Sequence, residues 1–157
     1  MRTQEAKGES RGKKERIKMF EYNRTARYHE TDQMGIIHHS NYIKWMEEAR
    51  IEAMNQLGYP YRSFEEMGLI SPVLDVHCEY KKSVRFDDQV MIKVSLQNFK
   101  RVKFTLRYEM YNRSQDGSLC AKGTTTHCFL HKNGRPVVMD KEMEAFCSAL
   151  QTLGQQE

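Results

Sequence analysis

Residues 28–50 read YHETDQMGIIHHSNYIKWMEEAR, and the fold hangs on how this stretch divides. It holds the end of one strand, a short loop and the start of an amphipathic helix. Upstream, residues 20–28 alternate: Phe20, Tyr22, Ala26 and Tyr28 share one face, and Glu21, Asn23, Thr25 and Arg27 the other. Period two is the signature of a strand. Gly35 lets the loop backbone bend freely. Ser40 and Asn41 are good N-cap residues, and the period changes just after them. Tyr42, Trp45, Met46, Ala49, Ala53 and Leu57 recur at three and four, with Ile43 and Met54 widening the stripe. Gly58 and Pro60 end that run, which predicts a helix over 41–57. Its broad apolar arc requires a sheet to cover it.

Downstream, residues 59–72 form a connector in which Ser63–Gly68 can make a helical turn. Four alternating runs follow. Leu74, Val76, Cys78 and Tyr80 share a face, as do Val90, Ile92, Val94 and Leu96. Val102, Phe104, Leu106, Tyr108 and Met110 form the longest stripe, and residues 119–131 a weaker last strand. The breaks at 86–88, 98–101 and 116–117 suit tight antiparallel connections. Residues 140–150 suggest a short terminal helix capped by Asp140. The fold class is α+β, a curved antiparallel sheet of about five strands wrapped around one long central helix.

Composition sets the boundaries. The 157 residues suit one domain, with 17–150 as its extent, 151–157 as a tail and 1–16 as a disordered basic leader. The net charge of +4 resides in residues 1–18, which hold seven Lys or Arg against three Glu; the rest of the chain is neutral in sum. The folded part therefore has no global pull toward nucleic acid. No stretch approaches a membrane span, and the leader lacks the apolar core of a secretory signal. The four cysteines make no Cys-x-x-Cys pair and read as reduced thiols of a cytoplasmic protein.

One constellation carries chemistry. Asp32 lies a few residues before the helix start, where free N–H groups carry partial positive charge. A substrate carbonyl oxygen could rest there while the carboxylate acts on the adjacent carbon. Taken alone, Asp32 reads as a turn residue or helix cap, and His39 equally as a surface or capping imidazole. A zinc site from His29, Asp32, His38 and His39 matches no standard spacing.

The pattern Tyr28-x-x-x-Asp32-x-x-Gly35, followed by Ile36, Ile37, His38, His39, Asn41, Tyr42, and then Glu47 or Glu48, Ala49 and Arg50, resembles the hot-dog-fold acyl-CoA thioesterases of the 4-hydroxybenzoyl-CoA thioesterase-like branch. The resemblance covers about residues 17–150. The one departure is His38, where the family most often has Tyr. The resemblance implies hydrolysis of an acyl-CoA thioester to a free acid and CoA. Asp32 is then nucleophile or general base, and the helix start near His39 the oxyanion site. His39 and Tyr28 are supporting residues, Tyr28 as a donor to the carboxylate unless it merely packs in the core. Asn41 caps the helix or fixes the loop, and His38 lines the acyl pocket or a subunit contact. Because CoA is phosphorylated, cations are needed. Lys100, Arg101 and Lys103 at one strand turn are the first candidates, in the family often contributed by the neighbouring subunit. Arg135 is the second, and Lys81, Lys82 and Arg85 are the third. No metal or other cofactor is implied, CoA being part of the substrate. The implied partners are the acyl-CoA and further copies of the chain, as a homodimer or tetramer, with no nucleic acid and no membrane. Two alternatives remain: an acyl carrier protein thioesterase, and a non-catalytic acyl-CoA-binding module.

Overall fold

The computed structural model describes residues 20–154; the expected basic leader lies outside them. Five strands form one antiparallel sheet: β1 (Phe20–Thr25), β2 (Val73–Tyr80), β3 (Gln89–Lys100), β4 (Lys103–Asn112) and β5 (Ser118–His127), in the order β1-β3-β4-β5-β2. The long helix α1 (Ser40–Gln56) lies against one face. A short α2 (Tyr61–Glu66) follows it, and α3 (Met139–Glu142) and α4 (Glu144–Gln151) close the chain. This is the α+β arrangement expected from the alternation of periods.

The core forms where the helical stripe meets the strand alternation. Trp45, Met46, Ala49 and Ala53 of α1 are fully buried with Val94, Leu96, Leu106, Tyr108 and Met110 of the sheet. Gly123 on β5 makes close approach possible, since a Cβ there would collide with the His77 carbonyl and the Met46 methyl. At the other end of α1, Phe64, Phe104, Phe129 and Phe146 form an aromatic cluster with centroids 4.8–6.0 Å apart.

Several boundaries differ from the sequence reading, each for a local reason. β1 stops at Thr25, and Tyr28 belongs to a 3-10 turn (Tyr28–Glu30). The Arg27 N–H turns to the Glu30 carboxylate at 2.8 Å instead of continuing the ladder, so Tyr28 leaves the apolar face and is 76% exposed. The N-cap of α1 is His39, not Ser40 or Asn41. Ile43 points outward at 44% exposure, because the arc that the sheet covers is narrower than the apolar stripe. Asp140 lies in the first turn of α3, whose N-cap is Val138, and the break at Met143 splits the terminal helix in two. The domain does not end at 150: Leu153 is buried, and the Leu96 N–H donates to the Gly154 carbonyl at 3.0 Å.

Candidate active site

The loop between the 3-10 turn and α1 is a closed, hairpin-like structure. The His38 N–H donates to the Glu30 carbonyl (2.9 Å), Thr31 bridges Ile37, and the Asp32 N–H donates to the Ile36 carbonyl (2.8 Å). Gly35 closes the tip at φ 78°, a left-handed conformation that L side chains rarely adopt. Oδ1 of Asp32 accepts the Met34 N–H at 2.8 Å. Oδ2 has no protein donor among the described residues, so one carboxylate oxygen is held and the other is free.

Beneath the loop, Glu30 fastens it to the scaffold. Its carboxylate is 4% exposed and accepts from the Arg24 guanidinium (2.7 and 2.8 Å), the Arg27 N–H and the Trp45 indole N–H (2.7 Å). Arg24 stacks over Trp45 at 4.5 Å and also reaches Glu48 at 3.0 Å. The Glu30 carbonyl takes a further bond from Asn41 Nδ2 at 2.9 Å. Asn41 thus fixes the loop rather than capping the helix. A buried carboxylate is tolerable only with this degree of pairing.

A cleft of about 220 Å³ opens beside the loop, lined by Asp32, Met34, Ile36, Ile37, His39, Tyr42, Tyr80, Lys81, Lys82 and Ser83. Asp32 and the opening of α1 therefore share one cavity. At that opening the N–H groups are unequally used. Ser40 N–H donates to His38 Nδ1 (3.2 Å), Asn41 N–H to the His38 carbonyl (3.0 Å) and Tyr42 N–H to the His39 carbonyl (3.4 Å). The His39 N–H has no protein acceptor among the described residues. An unpaired N–H at a helix start, beside a half-free carboxylate, suits a developing oxyanion.

The other sequence candidates fall into place around this. His38 is the acceptor of the Ser40 N–H, and its ring lies 4.2 Å from that of His39. It caps α1 and is absent from the cleft lining. Tyr28 packs edge-on against Phe86 at 5.6 Å, outside the lining residues, with no bond to Asp32. Lys100, Arg101 and Lys103 form the β3–β4 turn. That turn follows the Phe104–His127–Val73 end of the register, whereas the cleft is at the Met110–Ala121–Tyr80 end. Six residue steps of β4 and β5 separate the two ends, about 20 Å at 3.4 Å per residue. Arg101 also pairs with Asp140 at 3.2 Å. Arg135 lies beyond the Leu130–Pro136 bridge at that same far end, where Leu130 also bridges Ile70. The cations that do line the cleft are Lys81 and Lys82. Sequence reading missed Tyr42, Tyr80 and Ser83 as site residues. The usable signal was Tyr80, closing an apolar strand face just before a Lys pair. Among the described residues, no group of three or more His, Cys, Asp or Glu is arranged to hold a metal ion.

Residues 26–147 match the model of the thioesterase-like superfamily. The chain is 39% identical over 124 residues to a putative esterase of Aquifex aeolicus, covering 79% of this chain and 94% of that protein. It is 34% identical over 116 residues to the putative acyl-CoA thioesterase YneP of Bacillus subtilis, covering 73% and 83%. The solved DHNA-CoA thioesterase of Staphylococcus aureus superposes with a TM-score of 0.78 at 32% identity, covering 83% of this chain and 87% of that one. The chain therefore belongs to the thioesterase-like superfamily and is a hot-dog-fold thioesterase.

Proposed function

We propose that this protein hydrolyses an acyl-CoA thioester to a carboxylic acid and CoA, with Asp32 as the reacting carboxylate and the His39 N–H as oxyanion donor. The observation that carries this reading is the shared cleft: the free oxygen of Asp32 and the unpaired N–H of His39 belong to residues that line the same cavity. Either Asp32 attacks the carbonyl carbon itself, or it takes a proton from the water that does. In both cases negative charge grows on the carbonyl oxygen, and a fixed N–H stabilises it without reorganising. Collapse of the tetrahedral species breaks the C–S bond and releases CoA as a thiolate, a good leaving group. When water is the nucleophile this leaves the acid directly; when Asp32 is, it leaves a mixed anhydride on Asp32 that water then hydrolyses to the acid and the free carboxylate. The aromatic walls Tyr42 and Tyr80 and the apolar Ile36 and Ile37 enclose the reacting part of the substrate. Lys81 and Lys82 supply the positive charge that a phosphorylated carrier requires.

The site is completed by a second copy of the chain in this reading. β2 is an edge strand whose Val73, Leu74, Val76 and Tyr80 are exposed, the kind of edge that invites pairing. Antiparallel pairing of β2 with its copy puts Tyr80 of one chain toward Val73 of the other. The partner's β3–β4 turn, on the Val73 end, then approaches the cleft, which gives Lys100, Arg101 and Lys103 a role in trans.

Thiol release from a panel of short, long and aromatic acyl-CoAs tests the activity, run beside the same acyl groups on acyl carrier protein. The Staphylococcus aureus relative, a DHNA-CoA thioesterase, makes aromatic thioesters the first to try. Turnover of at least one acyl-CoA above background is expected. Binding without any turnover across the panel would instead make the protein an acyl-CoA-binding module.

A further inference from the structure

Tyr80 is the last residue of β2 and lines the Asp32 cleft. Its hydroxyl donates to the His39 carbonyl at 3.1 Å, closer than the helix's own Tyr42 N–H at 3.4 Å. Its ring stands edge-on to Tyr42 at 5.0 Å and to His39 at 6.3 Å. No side chain of α1 itself caps His39. The residue that opens the helix is therefore held from outside, by a strand 41 positions away in sequence.

We propose that Tyr80 is a positioning residue for the oxyanion donor: it anchors the peptide plane after His39 through the carbonyl, the Asn41 N–H anchors the plane before it through the His38 carbonyl (3.0 Å), and the His39 N–H on that earlier plane is thereby held in direction. The inference rests on the thioesterase reading of the cleft. An N–H stabilises an oxyanion only within a narrow range of distance and angle, and a misplacement near 1 Å costs about 100-fold in rate. The hydroxyl is suited to the task. Partial desolvation, with the neighbouring Cys78, pushes Tyr80 above the ordinary tyrosine range, so the donor proton stays in place at neutral and mildly alkaline pH. The ring alone would pack equally well as phenylalanine, which makes the hydroxyl the part that only positioning requires.

Tyr80→Phe isolates it. The expected result is a kcat about 10-fold lower, with KM within about twofold of wild type and an unchanged Tm. The backbone amide of His39, followed by nitrogen-15 NMR, should move in chemical shift and exchange faster with solvent. An unchanged kcat together with an unmoved His39 amide overturns the proposal. So does a raised KM at constant kcat, which would make the Tyr80 hydroxyl a substrate contact and not an anchor of the helix start. A wild-type protein that turns over no thioester refutes the parent reading instead, and the His39 amide then decides on its own whether Tyr80 orients the helix start.

Discussion

His127 should make the protein acid-labile well above the pH at which its carboxylates protonate. The imidazole is 2% exposed and stacked on Phe104 at 5.1 Å. Burial, and secondarily the Arg50 guanidinium, push it down to about 3 from 6.5. The hydrogen-bond chain explains why it resists protonation. Arg50 can only donate, so Tyr108 OH accepts from it at 3.3 Å and passes its own proton to Thr125 Oγ1 at 2.7 Å. Thr125 then donates to His127 Nε2 at 2.6 Å. A protonated His127 would place two donors face to face. Above pH 6.5 the residue is neutral both folded and unfolded, and no stability is lost. Below it, only the unfolded chain gains the proton, and stability falls by about 1.4 kcal/mol per pH unit until the pH nears 3. At pH 5 the loss is about 2 kcal/mol, a large fraction of a domain's stability. Urea unfolding at pH 7 and pH 5, for wild type and His127→Gln, measures it. The glutamine variant keeps a polar partner for Thr125 but cannot titrate. Wild type should lose about 2 kcal/mol more than the variant between the two pH values. Parallel losses would refute the reasoning.

Other outcomes follow from the same geometry. Gly123→Ala should cost about 1–3 kcal/mol in chemical denaturation, because the β2 carbonyl of His77 cannot move aside as Met46 can. Trp45→Phe removes one donor from the buried Glu30 carboxylate and should lower stability by about 1–3 kcal/mol, read as a lower urea midpoint. Lys81→Ala with Lys82→Ala should raise KM for acyl-CoA and flatten its dependence on salt, with kcat kept. Val76→Lys should shift the protein toward monomer in sedimentation velocity, since like charges on a self-pairing edge repel.

The architecture was legible because it rests on short-range periodicity. The α1 stripe and the β3 and β4 alternations each state their own partner face, and short breaks force the antiparallel order. Asp32 and Gly35 were legible because the loop that holds them is local, closed by bonds within residues 30–38. Elements set by distant groups were not. Tyr28 fits the β1 alternation, yet the Glu30 carboxylate captures the Arg27 N–H and turns the chain away. Sequence marks Lys81 and Lys82 only as a third cation group, and Tyr80 not as a site residue at all, because they reach the cleft through β2 lying at the sheet edge beside the opening of α1, a consequence of strand order. The cations at Lys100–Lys103 stood out in sequence as a charged turn; the register carries that turn to the far end of its own sheet, so that a neighbouring copy, as the resemblance implies, would have to bring it to the cleft. His38 looked like a site residue, and its ring nitrogen is occupied by the helix it caps.

In the proposed reaction a single carboxylate makes or promotes the attack in this cleft, while the other groups bind the substrate and polarise its carbonyl. Asp32→Asn changes one oxygen and retains an acceptor for the Met34 N–H. Binding of a slowly hydrolysed acyl-CoA by calorimetry, beside steady-state thiol release, separates affinity from chemistry. Affinity within a few-fold of wild type and turnover reduced by about 10²–10⁴-fold are expected. Turnover within a few-fold of wild type in the asparagine variant would contradict that role of Asp32.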